Sequence, residues 1–529
     1  MSTKRWILIA AVLGSGIVFL DSTVVNVALP RIGHDLPRSF LGVLEGQSYV
    51  YNAYLLTLSA LLILAGALND FYGRQRMFLL GLIGFGATSV LCGLAPSMEL
   101  LVLFRILQGA AGALLVPGSL ALITANFSGE EQGRAFGLWA GASAGTTILG
   151  PVLGGFLVDS ISWRAAFLIN VPLVLVAAWA TWRHVPESRD ENATAHFDWI
   201  GAAIVFLAVG GLAFGAIYGQ QRAWQDPVGY LALAVGVVAT SGLPIWMMRA
   251  KHPLIPLGLF RSRNFTVTNI STLLIYGSLY VTFYYLGLFQ QGTLAYTAAA
   301  AGAGGIPGSL FLIFLSSRFG GLAARYGPRW FMAIGPAIMA LGVLWYVRVP
   351  ATSVAWQLRP GEPATYAPTL SWLVDFLPGS IIFGLGLCIM VAPLTTALMT
   401  SVPVRNSGVA SAINNAISRV GPQLAGAMIF VFLTASFYAY LASRLTAVDV
   451  SSPSFRSQVS PLNMPANPQL VAIVRDASTS SFHLAMYIGA ALLLLGAIVN
   501  AIGIRNPSPK QIEDRAAAAE AEAASLGLH

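Results

Sequence analysis

Asp21 and Arg105 are charges placed inside apolar runs, and they carry the first chemical reading of this chain. Asp21 lies about 15 residues into the run from Trp6 to Leu29, ~22 Å along a helix rising 1.5 Å per residue. An ionised carboxylate at that depth in a bilayer costs several kcal/mol unless it meets water or a partner, which marks it as functional. Arg105 belongs to a second apolar run that starts near Leu100 and runs the opposite way, so it lies ~8 Å below the outer surface. Asp21, in a core ~30 Å thick, lies at about the same level. The two can share one layer, and a buried carboxylate is more stable beside a guanidinium. The plainer readings are a carboxylate bonded to Ser22, Thr23 or Asn26, and an arginine that snorkels to the headgroups.

The elements that position these charges are membrane helices. The chain has 529 residues, 56% hydrophobic and 9% charged, against about a quarter charged in soluble domains. Its net charge of +8 would suggest nucleic acid in a soluble protein, but here most of it belongs to loops. Cys92 and Cys388 each lie within an apolar run, so a disulfide framework is excluded. Apolar runs predict fourteen spans, near 6–29, 45–68, 77–96, 100–125, 135–158, 163–182, 199–219, 229–249, 263–290, 297–317, 330–348, 370–400, 407–438 and 481–504. With the N-terminus inside, inner segments hold 18 of the 29 Lys and Arg and outer segments nine, while Arg105 and Arg419 fall within spans. That bias puts both ends in the cytoplasm. The first run is basic at its start like a signal peptide, but Asp21 interrupts it and more spans follow, so it is read as uncleaved. Residues 349–369 and 439–480, rich in Pro, Ser and Thr, read as outer loops, and the Ala- and Glu-rich tail after Arg505 as a short cytoplasmic helix.

The chain repeats itself. Gly66 to Gly73 aligns with Gly320 to Gly327 at an offset of 254; Arg134, Gly137, Gly150, Pro151 and Gly155 align with Arg405, Gly408, Gly421, Pro422 and Gly426 at an offset of 271. Each pair is eight spans apart, whereas a plain repeat of six spans would give six. Two helices are therefore inserted between six-helix halves, which divides the chain into 1–198, an insert at 199–262, a second half at 263–504 and a tail at 505–529. Parallel halves around a central site are the architecture of alternating-access transporters.

Further residues suit such a machine. Asp70 can pair with Arg74 or with a helix end beyond the tight turn at Gly73, making a charged latch at the cytoplasmic mouth; a routine surface pair is the plainer reading. Gly141, Gly145, Gly150, Gly154 and Gly155 leave a face without side chains, and Pro151 permits bending, so this span reads as a pliable seam between the halves. The ninth span offers Tyr276, Tyr280, Phe283, Tyr284, Tyr285, Phe289, Gln290 and Gln291; aromatic faces suit flat or cationic amphipaths, and tyrosines also form interfacial belts. Asn26, Gln47, Tyr51, Gln108, Asn414, Asn415 and Arg419 are the polar residues expected to line a cavity with Tyr276, Tyr280 and Tyr284; Asn415 and Arg419 share a helix face at i, i+4 spacing. No G-x-x-x-x-G-K-[ST] loop occurs, which argues against ATP as the direct energy source, and no cluster of His or Cys suggests a metal.

Four stretches carry a family resemblance that covers nearly the whole chain: Leu20 to Pro30 (LDSTVVNVALP), Gly66 to Arg76 (GALNDFYGRQR), Leu101 to Gly112 (LVLFRILQGAAG) and Gly150 to Gly155 (GPVLGG). Together they resemble the major facilitator superfamily, specifically its 14-span drug:proton antiporters. The resemblance implies an all-α polytopic membrane protein with two six-helix halves plus two inserted helices. It also implies a proton-linked role for Asp21 and Arg105, gating by Asp70, Gly73, Arg74, Gly150, Pro151, Gly154 and Gly155, and export over import. The chain departs from the family pattern at Asn69 and Phe71, where a small and a basic residue are usual. The expected function is proton-coupled efflux of amphipathic small molecules by a monomer in the bacterial-type inner membrane, without cofactor, metal or nucleic acid. The other readings are a dedicated exporter of one physiological solute, such as a lipid or an antibiotic, and a membrane sensor or channel that does not pump. A hydrolytic enzyme is disfavoured because no nucleophile–base pair stands out.

Overall fold

A computed structural model of the chain describes residues 3–37, 43–189, 197–221, 224–359, 361–445, 448–465 and 467–506. Helices are what an apolar chain forms in lipid, where each backbone N–H and C=O needs a partner within its own segment. Fourteen long helices organise the described residues. The first six are α1 (Thr3–Asp35), α2 (Val43–Tyr72), α3 (Arg74–Gly93), α4 (Met98–Asn126), α5 (Gly129–Ser160) and α6 (Asn170–His184, entered through a short turn at Ala165–Leu168). Next come α7 (Trp199–Gln221) and α8 (Pro227–Arg249). The last six are α9 (Arg263–Leu288), α10 (Ile306–Tyr326), α11 (Arg329–Tyr346), α12 (Leu377–Thr400), α13 (Ser407–Arg444) and α14 (Val471–Gly503). Among the described residues, thirteen spans are long and apolar enough to cross a membrane. The remaining long helix, α5, has 32 residues, about 48 Å of helix.

Some boundaries differ from the sequence reading. The run 370–400 is broken at Phe376 because Pro378, which lacks an N–H, sits in the first turn of a new helix. Pro307 likewise starts α10 after the short helix Ala298–Ala303, so 297–317 is two pieces. The segment 439–480 is not one irregular loop. α13 runs on to Arg444, α14 starts at Val471, and a short helix, Pro453–Gln458, lies between. Helix ends protruding beyond the lipid carry polar residues, which erases the composition signal there. The helix expected in the tail after Arg505 lies outside the described residues beyond Asn506.

Packing follows the repeat. Within α1–α6 the main contacts are α2 on α4, α1 on α5, α3 on α4 and α1 on both α4 and α6; within α9–α14 they are α11 on α12, α11 on α14, α10 on α12, α9 on α14 and α9 on α13. The two groups meet along α2 with α13 and α5 with α10. Helices α7 and α8 pack on each other, and α7 touches α2 and α13 at the outside of that seam. These contacts support the division at 198 and 262, which we propose as the domain organisation. The repeat is visible in the backbone. Gly73, after α2, and Gly327, after α10, have φ of 111° and 88°, a region glycine enters without penalty. Each is abutted by a polar side chain from just beyond the last helix of its own group. Glu187 follows α6 and accepts from the Gln75 amide at 3.0 Å; Asn506 follows α14 and accepts from the Arg329 amide at 3.1 Å. Both cap the free N–H groups at the start of the next helix, α3 or α11.

Candidate functional site

The structure joins Asp21 and Arg105. Arg105 Nη1 donates to Asp21 Oδ2 at 2.5 Å and to Gln108 Oε1 at 2.7 Å, and its Nε donates to the Val50 carbonyl at 3.0 Å. The other carboxylate oxygen, Oδ1, accepts from Gln108 Nε2 at 3.1 Å and from Asn170 Nδ2 at 2.9 Å. Both amides also donate to Ser89 Oγ. The guanidinium lies 4.0 Å from the centre of the Tyr54 ring, whose hydroxyl donates to the Val18 carbonyl. Five helices, α1, α2, α3, α4 and α6, thus close around one ion pair. Asp21, Arg105, Gln108, Ser89 and Asn170 are all 0% exposed. Both carboxylate oxygens and two of the three guanidinium nitrogens are hydrogen-bonded, as desolvated charges require, while Arg105 Nη2 is buried without a hydrogen-bond partner among the described residues. Gln108, expected in the cavity, is instead a member of this network, because the i, i+3 spacing from Arg105 folds it onto the same carboxylate.

A second ion pair sits where the two helix groups meet. Asp70 and Arg74 pair at 3.1 Å with both side chains buried. Asp70 also accepts the amide hydrogens of Gly408 (3.2 Å) and Val409 (2.9 Å), so it caps the start of α13 from the other group. Arg74 Nη2 donates to the Val404 carbonyl at 2.5 Å. Both options read from the sequence, Arg74 and a helix end, are therefore used at once. Of the two residues that depart from the family pattern, Asn69 is buried and donates to the Ala65 and Leu114 carbonyls, and Phe71 stacks edge-on against Phe197. The repeat places Ala324 where Asp70 stands, so the matching seam lacks a carboxylate at that position. It closes by bare backbone: a methyl on Gly133 or Gly137 would overlap Gly320 or Ser317 of α10.

The glycine face of α5 needs a correction. Gly141 and Gly145 do face α10, but Gly150 and Gly154 face Thr23 and Val24 of α1, in their own group. The reason is divergence of α5 from α10. A methyl on Gly141 would stand 3.0 Å from the Leu312 carbonyl, whereas one on Gly145 would stand 3.7 Å from a side-chain tip of Ile313. The halves are therefore in close contact at the end where α5 begins and part along it. Pro151 and Gly155 lie within α5, outside the residues whose side chains are described.

The expected cavity residues divide. Tyr51 of α2 and Arg419 of α13 are partly buried. Tyr276 lies 6.3 Å from Tyr280, ring centre to ring centre, and Tyr280 and Tyr284 are half exposed. These residues lie on α2, α9 and α13, and α13 packs on both of the other helices. Others are tied down: Asn414 donates to Asn269 and Thr272 of α9, Asn415 to the Ser411 carbonyl of its own helix, and Gln47 to the Leu29 carbonyl of α1. Asn414 is buried, whereas Gln47 and Asn415 stay partly exposed. Asn26 is exposed on α1. Residues the sequence reading missed are Asn170 and Ser89, which complete the Asp21 network, and Glu187. Each is an ordinary polar residue, and nothing in the local pattern of the chain marks it.

The sequence profile of the Major Facilitator Superfamily matches residues 11–427. The multidrug resistance protein Stp of Mycobacterium tuberculosis (strain CDC 1551 / Oshkosh) is 32% identical over 451 residues, covering 84% of this chain and 78% of that protein. The tetracenomycin C resistance and export protein of Streptomyces glaucescens is 30% identical over 475 residues, covering 89% and 81%. The solved structure of the proton:xylose symporter XylE bound to 6-bromo-6-deoxy-D-glucose superposes with a TM-score of 0.57 at 15% identity, covering 97% of this chain and 98% of that one, a likeness of fold. The two packed six-helix groups, the matching profile and these relatives agree: the chain belongs to the Major Facilitator Superfamily of small-molecule transporters.

Proposed function

We propose that the protein is a proton-coupled efflux carrier for amphipathic small molecules in a bacterial inner membrane, with both termini in the cytoplasm. The observation that carries this reading is the pairing of a sealed Asp21–Arg105 contact inside one helix group with a separate latch, Asp70–Arg74, at the closed mouth. A proton delivered to Asp21 removes the charge that holds Arg105, while opening the mouth removes Asp70 from the amides of α13. Each site thus has two arrangements, which is what coupling a proton to a conformational change requires. With the termini inside, the closed mouth is the cytoplasmic one and the conformation faces outward. Because Asp21 is fully buried, coupling runs through this network, and the substrate does not compete with the proton by touching the carboxylate in this state. Export is favoured by the relatives named for drug and antibiotic resistance. The test is a panel of dyes and antibiotics in proteoliposomes carrying an imposed pH gradient. Movement driven by the gradient and abolished by an uncoupler is the expected result. Equilibration without uphill movement means a channel, and movement of one compound alone means a dedicated exporter.

A further inference from the structure

We propose that Arg419 anchors an anionic group on the transported molecule, so that the preferred substrates are aromatic anions; this rests on the efflux reading of the same cavity. Arg419 lies about 18 Å along α13, counted from Ser407, and is only partly buried. Among the described residues it has no ion pair and no hydrogen bond, unlike Arg74 and Arg105. Gly408 and Ala412 of α13 pack on Gly66 of α2, and Arg419, seven residues beyond Ala412, lies on the same face of α13 two turns further along. An unpaired guanidinium at membrane depth is costly, and it persists where water or an incoming anion satisfies it. Its planar fork suits carboxylate, sulfonate or an ionised phenol. Gly277 of α9 packs on Gly421 of α13, two residues beyond Arg419, and the neighbouring rings of Tyr276 and Tyr280, 6.3 Å apart, offer flat surfaces for an aromatic body. A cation entering the same space gains nothing from Asp21, which is sealed and already holds Arg105, or from Asp70, which holds Arg74 and the amides of α13. Of the flat or cationic amphipaths that the tyrosines suit, Arg419 favours flat ones that carry a negative charge. The test uses two xanthene dyes that share a ring plane and differ in charge, the anion fluorescein and the cation rhodamine 6G. Both are assayed in proteoliposomes with a pH gradient and by quenching of tryptophan fluorescence in detergent. The wild-type protein is expected to prefer fluorescein in both assays. Arg419→Gln should weaken fluorescein by about tenfold and leave rhodamine 6G within about twofold, and Arg419→Lys should fall between. An unchanged ratio of the two dyes in Arg419→Gln overturns the assignment, even if transport continues. Absence of gradient-driven movement for either dye would instead count against efflux, and the binding ratio would still decide the role of Arg419.

Discussion

The Asp70 carboxylate accepts the amide hydrogen of Val409 at 2.9 Å, joining residues 339 apart in the chain across the line where the two helix groups meet. A side chain on α2 therefore supplies the cap that α13 lacks in its own sequence.

Replacing Asp70 by Asn keeps the shape but leaves one acceptor oxygen and no charge to hold Arg74. Each charge-assisted hydrogen bond is worth about 1.5–3 kcal/mol, enough to move a two-state population by tenfold or more. Spin labels at Tyr72 and Arg405 should report a longer distance in Asp70→Asn, and transport should slow more than substrate binding weakens. Equal losses in rate and affinity would sink the latch assignment.

Asp21→Asn is expected to abolish pH-gradient-driven efflux while the protein stays folded. Arg105 keeps Val50, Gln108 and the Tyr54 ring as partners, but loses its counter-charge, at a cost of about 3–5 kcal/mol for a broken buried pair. Melting temperature should fall in Asp21→Asn and recover in the double variant Asp21→Asn/Arg105→Gln, with no recovery of transport. If the double variant pumps with the wild-type pH dependence, coupling lies elsewhere.

The two stretches of the α5 glycine face should respond differently to bulk. Gly137→Val forces α5 away from Ser317 of α10 and wedges the closed mouth, so alkylation of a cysteine placed at Ala324 should quicken by about tenfold. Gly150→Val collides with Thr23 inside one group and should lower thermal stability by about 1–3 kcal/mol. The reverse pattern would reassign the seam.

Tyr280→Ala should weaken binding of aromatic substrates by about threefold to tenfold, matching ~0.5–1.5 kcal/mol for one aromatic contact, and Tyr280→Phe should be nearly silent. Loss of binding in Tyr280→Phe would mean that the hydroxyl, not the ring, is what the substrate meets.

Topology tags offer an independent check. Reporters after Arg189 and Arg261 should lie in the cytoplasm, and reporters near Gln225 and Met464 outside. A cytoplasmic signal at Met464 would overturn the fourteen-span count.

Much of this protein was legible before any fold was known, because a bilayer imposes a one-dimensional code. Apolar length marks the spans, Lys and Arg set an expected orientation, and a carboxylate inside lipid is conspicuous at any position. Glycines at Gly73 and Gly327 announced the repeat because only a turn with positive φ favours them at both places. Tertiary structure decided what depends on which faces meet. Hydropathy locates Asp21 by depth but not by azimuth, so it could not show that Asn170, Ser89 and Gln108 seal the carboxylate away from solutes. Nor could glycine spacing along α5 distinguish a face against α10 from one against α1, since a small residue records only that something approaches closely. Arg419 was readable as a charge within a span, but its lack of a partner among the described residues is a property of every neighbouring helix at once, and only the packed bundle determines it.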